Sequence, residues 1–271
     1  MDDATLSDRE FASFQKLIHG ITGIHLAPAK KALLCGRLAK RLRSRNLRSY
    51  SAYFDLVSSG KDPSELETCV NLLTTNETYF FREAKHFDLL RNSILPARKL
   101  GSTFRAWSAA CSSGEEVYTL AMILADVLGI NGPWEILGSD ISTDVLERAA
   151  RGHYPMERAQ NIPPEMLKKF CLRGVGDQSG TLLVDPALRK RVRFAQINLN
   201  NALPQIGDFD VIFLRNVMIY FQLDVKKEVV ARIVQRLHPG GHLFIGHSES
   251  LNGVNDSLQA LIPAAYQKPS R

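Results

Sequence analysis

Two places in the sequence hold residues whose types and spacing could do chemistry. Ser108-Ala109-Ala110-Cys111-Ser112-Ser113-Gly114-Glu115-Glu116 is a run of small residues closed by two carboxylates. Small residues let the backbone approach a ligand closely, and adjacent carboxylates favour a cation. Asp140 stands at the end of the next strand-like segment, after Ser139. An acidic residue at that place can accept both hydroxyls of a ribose. The plainer alternative is a strand–turn–helix with Asp140 as the N-cap of the helix that follows.

The loop is not GxGxxG, and Glu115 and Glu116 would repel a pyrophosphate. A cation-bearing adenosine ligand suits two carboxylates better than NAD or ATP does. S-adenosylmethionine, with its sulfonium and ammonium, is such a ligand. A P-loop is excluded, because Gly60-Lys61 lacks the partner glycine and position 55 is Asp. Gly246-His247-Ser248-Glu249-Ser250 misses the GxSxG nucleophile elbow at its fifth position, and Leu251-Asn252-Gly253 is a poor helix start. His238 and His242 flank Pro239-Gly240-Gly241, so they share no helix face and argue against a metal site.

These residues need elements to hold them. Phe104–Ala109, Trp134–Gly138, Val192–Ile197, Phe209–Leu214 and His242–Gly246 read as strands. Glu115–Leu128, Thr143–Ala150 and Val225–Leu237 read as helices between them, the last closed by Pro239-Gly240-Gly241. The alternation predicts an α/β fold with an open, mostly parallel sheet and helices on both faces. Such sheets bind ligands beyond the carboxyl ends of their strands, where the Ser108–Glu116 loop and Asp140 lie. Residues 155–191 break the rhythm with Pro155, Pro163, Pro164, several glycines and the β-like run Thr181–Val184. An inserted small β-subdomain accounts for them.

Residues 1–90 show no alternating strand pattern and read as an all-helical subdomain, which leaves 91–271 for the sheet domain. Ser7 and Glu10 form a capping box, ahead of Phe11, Phe14, Leu17 and Ile18 at helical spacing. Leu34, Leu38 and Leu42 line one face of a helix after Pro28. Ser51–Ser58 and Ser64–Leu73 read as two more helices.

The 271 residues allow one large domain or two modest ones, and 45% hydrophobic with 23% charged residues suits a globular chain. The opening MDDATLSDRE is too acidic for a signal or transit peptide. No apolar run approaches the roughly 20 residues that span a bilayer. Cys35, Cys69, Cys111 and Cys171 are far apart and form no CxxC, which fits a reducing cytoplasm. The net charge of +6 suggests an anionic partner. Lys30, Lys31, Arg37, Lys40, Arg41, Arg43, Arg45 and Arg48 crowd one acid-free segment. It is either a solvated helix face or a dock for an acidic partner. It lacks the aromatic residues that nucleic-acid stacking needs.

Four blocks, in register from residue 7 to about residue 267, resemble the chemotaxis receptor methyltransferases of the CheR type. Thr74-Thr75-Asn76-Glu77-Thr78-Tyr79-Phe80-Phe81-Arg82-Glu83 is similar to their TTNxTxFFRE signature. Trp107–Glu116 resembles their cofactor loop, with Cys at position 111 where Ala or Gly is frequent. Phe213–Phe221 and Gly246–Glu249 resemble later blocks. The resemblance implies a class I S-adenosylmethionine-dependent methyltransferase sheet (Rossmann-like) with an N-terminal helical subdomain and an inserted β-subdomain. It implies transfer of a methyl group from S-adenosylmethionine to glutamate side-chain carboxylates of methyl-accepting chemotaxis proteins in adaptation, leaving S-adenosylhomocysteine and needing no metal. It also implies a cytoplasmic enzyme recruited to receptor arrays, with no nucleic-acid partner and no membrane insertion.

The same resemblance assigns Asn76, Thr78, Arg82, Glu116, Asp140, Asn198, Leu199, Arg215 and Asn216 to the cofactor site. A glutamate acceptor is already ionised at neutral pH, with an ordinary pKa of about 4.3, and needs no general base. Alignment for in-line displacement can then supply roughly 7–11 kcal/mol. Arg82 is the first candidate to orient a carboxylate, since guanidinium grips carboxylates bidentately; its plainer role is a salt bridge to a neighbour such as Glu83. Tyr220, just past a strand end, could pack on the cofactor or donate to the acceptor, or simply fill the core. Arg37, Lys40, Arg41 and Arg43 are expected to dock the glutamate-rich receptor bundle. Arg173–Gly180, with Arg189, Lys190, Arg191 and Arg193, could hold an acidic receptor peptide by strand addition.

Two other readings stand beside this one. A class I methyltransferase with another acceptor would lack support in Arg215–Tyr220, which has no N/D-P-P-Y element, and no Cys follows a Pro. A non-catalytic cofactor-binding or receptor-docking module would retain the fold without turnover.

Overall fold

The computed structural model describes residues 5–99 and 101–270; residues 1–4, part of the acidic opening, lie outside them. Contacts divide the chain in two. One unit takes the described residues up to Thr75 together with Tyr220–Val225, and the other takes Asn76–Ile219 and the residues from Lys226 onward. The helical stretch beyond residue 76, grouped by its sequence with the helical subdomain, belongs to the second unit by its contacts.

The helical unit holds α1 (Asp8–Thr22), α2 (Lys31–Ser44), α3 (Tyr50–Ser58) and α4 (Pro63–Leu73). The capping box forms as the sequence requires: Ser7 Oγ accepts the Glu10 N–H at 3.2 Å, and Glu10 Oε2 accepts the Ser7 N–H at 2.8 Å. Gly23 closes α1 in the left-handed conformation, φ 74°. Phe14 meets Phe54 edge-on with 5.3 Å between centroids, and Leu34, Leu38 and Leu42 are buried.

The polar interior of this unit rests on Glu65, which is fully buried. Its carboxylate accepts from Arg41 Nε at 2.9 Å, Arg45 Nε at 2.6 Å and the Tyr53 hydroxyl at 2.8 Å. Burial alone would raise its pKa, but these donors hold it below the ordinary value. A buried carboxylate survives only with such partners, and here they tie α2, α3 and α4 together. Arg37 donates to the carbonyls of Leu72 and Thr74 at 2.9 and 2.7 Å, covering orphan acceptors where α4 ends.

The second unit opens with α5 (Lys85–Leu89), which runs into a π-helical turn at Leu90–Ile94. Then come β1 (Phe104–Ser108), α6 (Glu115–Leu128), β2 (Trp134–Asp140), α7 (Thr143–Arg151) and β3 (His153–Pro155). A 3-10 turn at Met156–Asn161 leads to α8 (Pro164–Phe170), β4 (Cys171–Arg173), β5 (Thr181–Val184), α9 (Pro186–Arg189) and β6 (Val192–Gln196). The chain continues through β7 (Phe209–Leu214), α10 (Leu223–Gln235), β8 (Leu237–Ile245), β9 (Gln259–Ile262) and β10 (Ala265–Gln267).

The large sheet has the order β6-β2-β1-β7-β8-β10-β9. Its first five strands are parallel, and β10 pairs antiparallel with β8 and β9. The order reverses between β1 and β7, which makes their carboxyl ends the place where ligands bind in such sheets. Helix α6 is buried at nearly every position from Val117 to Ala125, because it packs on the sheet. The β-subdomain is a small antiparallel sheet, β3-β5-β4, and it begins at His153, ahead of the 155–191 stretch read from the sequence, because its first strand spans His153–Pro155.

One boundary differs from its sequence reading. Pro239-Gly240-Gly241 lies inside β8, and α10 ends at Gln235. Pairing with β7 shifts register between Phe209↔Leu237 and Val211↔His242, so the proline–glycine segment forms an irregularity in the strand.

Candidate active site

The loop after β1 and the end of β2 come together. Both oxygens of Asp140 accept backbone N–H groups, Oδ2 from Ser112 at 2.9 Å and Oδ1 from Ser142 at 3.0 Å. Ser142, not Asp140, is the N-cap of α7. Asp140 is buried, and burial raises its pKa against the pull of those N–H groups. Ile197 donates to the Asp140 carbonyl at 3.0 Å, bringing Asn198 and buried Leu199 to the same strand end.

Gly114 has another task than the one its sequence suggested. It adopts φ +93°, and a Cβ there would stand 2.8 Å from the Ala149 Cβ and 3.0 Å from the Tyr154 hydroxyl. The glycine lets the loop seat against α7 and β3 and is no clearance for a ligand.

The signature segment lies across this loop. Ser112 Oγ donates to the Asn76 carbonyl at 2.8 Å, and Arg158 Nη1 donates to the Thr78 carbonyl at 2.6 Å while facing Glu115 at 3.4 Å. Buried Phe80 meets Tyr154 edge-on at 5.1 Å. Phe81 and Glu83 have φ +56° and +60°, Ser112 +48° and Asn216 +56°. Left-handed conformations in non-glycine residues, above all phenylalanine, cost energy and gather where a site demands them. The Phe81 N–H bonds the Thr119 hydroxyl at 3.1 Å and helps hold the turn.

Arg215 lies at the centre, with its side chain 2% exposed. Nη1 bonds Glu116 at 2.9 Å, Nη2 bonds Glu83 at 2.9 Å and the Arg82 carbonyl, and Nε faces Glu83 at 3.3 Å. Every nitrogen of the guanidinium is engaged by protein. The other oxygen of Glu116 accepts from Ser108 at 2.6 Å. Glu83 Oε1 accepts Asn216 Nδ2 and the His247 N–H, both at 3.2 Å. Burial would raise the Glu83 pKa, but Arg215 and these donors hold it below the ordinary value. Glu249 ties the ends of β7 and β8, its Oε2 accepting from Asn216 N at 2.9 Å and Gly246 N at 2.6 Å. A Cβ on Gly246 would stand 2.5 Å from Asn216 Nδ2, so this strand end must be glycine.

Arg82 does not pair with Glu83. It donates to the Glu77 carbonyl at 2.8 Å and sits 5.7 Å from the centroid of Tyr79, and it forms no ion pair among the described residues. Tyr220 ends a short 3-10 turn, Met218–Tyr220; its contacts group it with the helical unit, where its carbonyl accepts the His25 N–H at 2.8 Å. Of the basic residues expected to dock a partner, Lys40 and Arg43 are exposed, whereas Arg37 and Arg41 are committed within the helical unit. The sequence reading singled out Glu115 with Glu116 but not its partner Arg158, and it quoted Glu83 and Glu249 without giving them roles in the site.

The residues present fit S-adenosylmethionine: a carboxylate such as Asp140 suits ribose hydroxyls, one such as Glu116 suits an ammonium, and small residues lie between them. When bound, this molecule supplies an activated methyl group on a sulfonium. The chain's residues would hold and orient it.

A sheet of this order, with its ligand residues at the β1 and β2 ends, defines a class I methyltransferase. Two family models match almost the whole chain: CheR methyltransferase, all-alpha domain, over residues 9–74, and CheR methyltransferase, SAM binding domain, over residues 76–265. The chain belongs to the CheR methyltransferase family. It is 43% identical over 251 residues to a "Chemotaxis protein methyltransferase" of Escherichia coli, covering 91% of this chain and 86% of that protein. It is 42% identical to "Chemotaxis protein methyltransferase 2" of Pseudomonas aeruginosa (95% and 92% covered). A counterpart in Borreliella burgdorferi is 36% identical (96% and 94% covered). Methylation in chemotaxis with S-adenosylmethionine as donor is thus the activity of this chain.

Proposed function

We propose that this chain esterifies the side-chain carboxylates of glutamates on chemoreceptors, with Arg82 orienting the acceptor. The observation that carries this reading is the state of Arg82. It stands next to Glu83 in the signature turn, with Arg215 bonded to its carbonyl, yet no carboxylate of the described residues forms an ion pair with it. A guanidinium so placed can receive the carboxylate of an incoming glutamate. The glutamate arrives as a nucleophile, so neither a general base nor a metal is needed, and the protein's contribution is alignment and partial removal of water. Asn76, Thr78, Glu116, Asp140, Asn198, Leu199, Arg215 and Asn216 hold or brace the donor in this reading. Arg215 acts through Glu116. Tyr220 is assigned to the acceptor's side on the family resemblance.

The acidic receptor bundle docks on Lys40 and Arg43, whose charges are exposed, with Arg37 and Arg41 shaping the helix that presents them. The receptor brings the reaction to its array. β4 is an edge strand of the small sheet with Leu172 exposed, next to exposed Val175, and it offers a place for a receptor peptide to add as a strand.

A purified receptor fragment incubated with the enzyme and donor, digested and weighed by mass spectrometry, tests the acceptor. Methyl groups confined to glutamate side chains support the reading. Methyl groups on lysine, arginine or asparagine overturn it. Tight donor binding with no modified receptor peptide would favour a non-catalytic module.

A further inference from the structure

Against Glu83 of the Arg215 cluster lie two histidines that methyl transfer does not use. Glu83 Oε2 is 3.6 Å from His86 Nδ1 and 3.9 Å from His247 Nε2, and the three ligand atoms all fall within 4.8 Å of one another. His86 is fully buried, and neither of its ring nitrogens makes a hydrogen bond of ordinary geometry, the Pro263 backbone being a weaker polar neighbour. Buried polar atoms without partners are few in folded proteins and call for an explanation. His247 is half exposed and meets His86 edge-on, with 4.8 Å between ring centroids.

We propose that Glu83, His86 and His247 form a binding site for a divalent transition-metal ion, and that an ion there weakens cofactor binding by competing with Arg215 for Glu83.

Two imidazoles and one carboxylate are the donor set of zinc, cobalt and nickel, and they do not suit magnesium or calcium. A tetrahedral ion with bonds of about 2.1 Å holds neighbouring donors about 3.4 Å apart. The 3.6 and 3.9 Å from Glu83, with all three ligand atoms within 4.8 Å of one another, need a closure of up to about 1.4 Å, and half-exposed His247, just beyond the end of β8, is the ligand free to make it. Exposure on the His247 side leaves the fourth position to water. Arg215 opposes a second cation here, while Glu83 and Glu116 offset it, so the expected affinity is micromolar and not structural. The coupling follows from geometry: Glu83 Oε2 is the atom that Arg215 Nη2 holds at 2.9 Å, and Arg215 in turn holds Glu116. This second half rests on the assignment of Glu116 to the cofactor. By linkage, cofactor must weaken the metal by the same factor as metal weakens cofactor.

The test uses the full chain without a histidine tag. Cobalt chloride is titrated and followed by its visible d–d absorption, zinc chloride by competition with cobalt, and S-adenosylhomocysteine by calorimetry with and without saturating zinc. One ion per chain is expected, with tetrahedral bands. His247→Gln, and His86→Phe, which keeps a ring against Phe244, should each weaken the ion about tenfold or more. Zinc should weaken S-adenosylhomocysteine at least about fivefold. No tetrahedral spectrum at millimolar cobalt overturns the site. A spectrum that His247→Gln and His86→Phe leave unchanged overturns it as well, placing the ion on other histidines. An ion lost in both variants but without effect on S-adenosylhomocysteine overturns the competition. Binding of S-adenosylhomocysteine in chelator-treated buffer is measured separately, so a failure of the cofactor assignment is read independently of the metal.

Discussion

Nη2 of Arg215 lies 2.9 Å from Oε2 of Glu83, although 132 residues separate them in the chain. The pair joins the signature turn to the end of β7, and through Glu116 it reaches α6. Removing one partner from a buried pair leaves an uncompensated charge, which costs more than the pair contributes. Glu83→Gln should therefore destabilise the protein by about 3 kcal/mol and loosen S-adenosylhomocysteine, by denaturant unfolding and calorimetry respectively. The double variant Glu83→Gln, Arg215→Met should recover part of the stability and none of the affinity. Additive losses would contradict the pairing.

Asp140 carries a prediction about pH. Burial raises its folded-state pKa above 3.8, so it takes up a proton at higher pH than a free aspartate. Ribose hydroxyls donate to the ionised form. Affinity for S-adenosylhomocysteine should thus be full at neutral pH and fall as pH drops through that raised value. Asp140→Asn should lower the affinity about tenfold or more and flatten the profile. An unchanged profile in the variant would place the titration elsewhere.

Glu65 and Glu83 act with the opposite sign. Their folded-state pKa values are held below 4.5, so their contribution to stability is complete above that value and is lost as pH falls through the lowered ones. Acid unfolding followed by circular dichroism should set in later for the parent than for Glu65→Gln, and the two curves should converge at the acid extreme.

The basic helix divides into two classes of residue. Arg41→Ala removes a partner of fully buried Glu65 and should cost about 2 kcal/mol of stability. Lys40→Ala and Arg43→Ala should leave the melting temperature unchanged and raise KM for receptor with cofactor affinity intact. Calorimetry showing cofactor affinity falling in Lys40→Ala would contradict the docking role.

Gly114→Ala tests the loop. Its φ of +93° and the Ala149 Cβ at 2.8 Å predict a loss of at least about 1 kcal/mol, seen as a lower denaturation midpoint. A neutral substitution would show that the loop shifts freely.

The sequence made much of this legible, because local rules govern what it made legible. The Ser7–Glu10 box, the Leu34–Leu38–Leu42 stripe and the alternation of strands and helices are periodic or short-range signals, and each appears in the structure. The Ser108–Glu116 loop and Asp140 could be paired because a strand end fixes both. Partners distant in sequence left no such trace. Arg37 and Arg41 looked like free charge because the Leu72 and Thr74 carbonyls and Glu65 lie on another helix. A salt bridge from Arg82 to its neighbour Glu83 was the plainer alternative, yet the turn at Phe81 and Glu83 points Glu83 at Arg215. No local propensity announces a left-handed phenylalanine; it is imposed by the groups around it. The proline and glycines that would end a helix are used instead to bend a strand.

The most direct measurement is transfer of tritiated methyl from S-adenosylmethionine to membranes carrying chemoreceptors, followed by mild base, with Arg82→Gln run in parallel. Carboxyl methyl esters release their label as methanol, and the variant should bind S-adenosylhomocysteine yet transfer methyl at least about a hundredfold more slowly. Label that resists base, or transfer that survives in Arg82→Gln, would contradict the account.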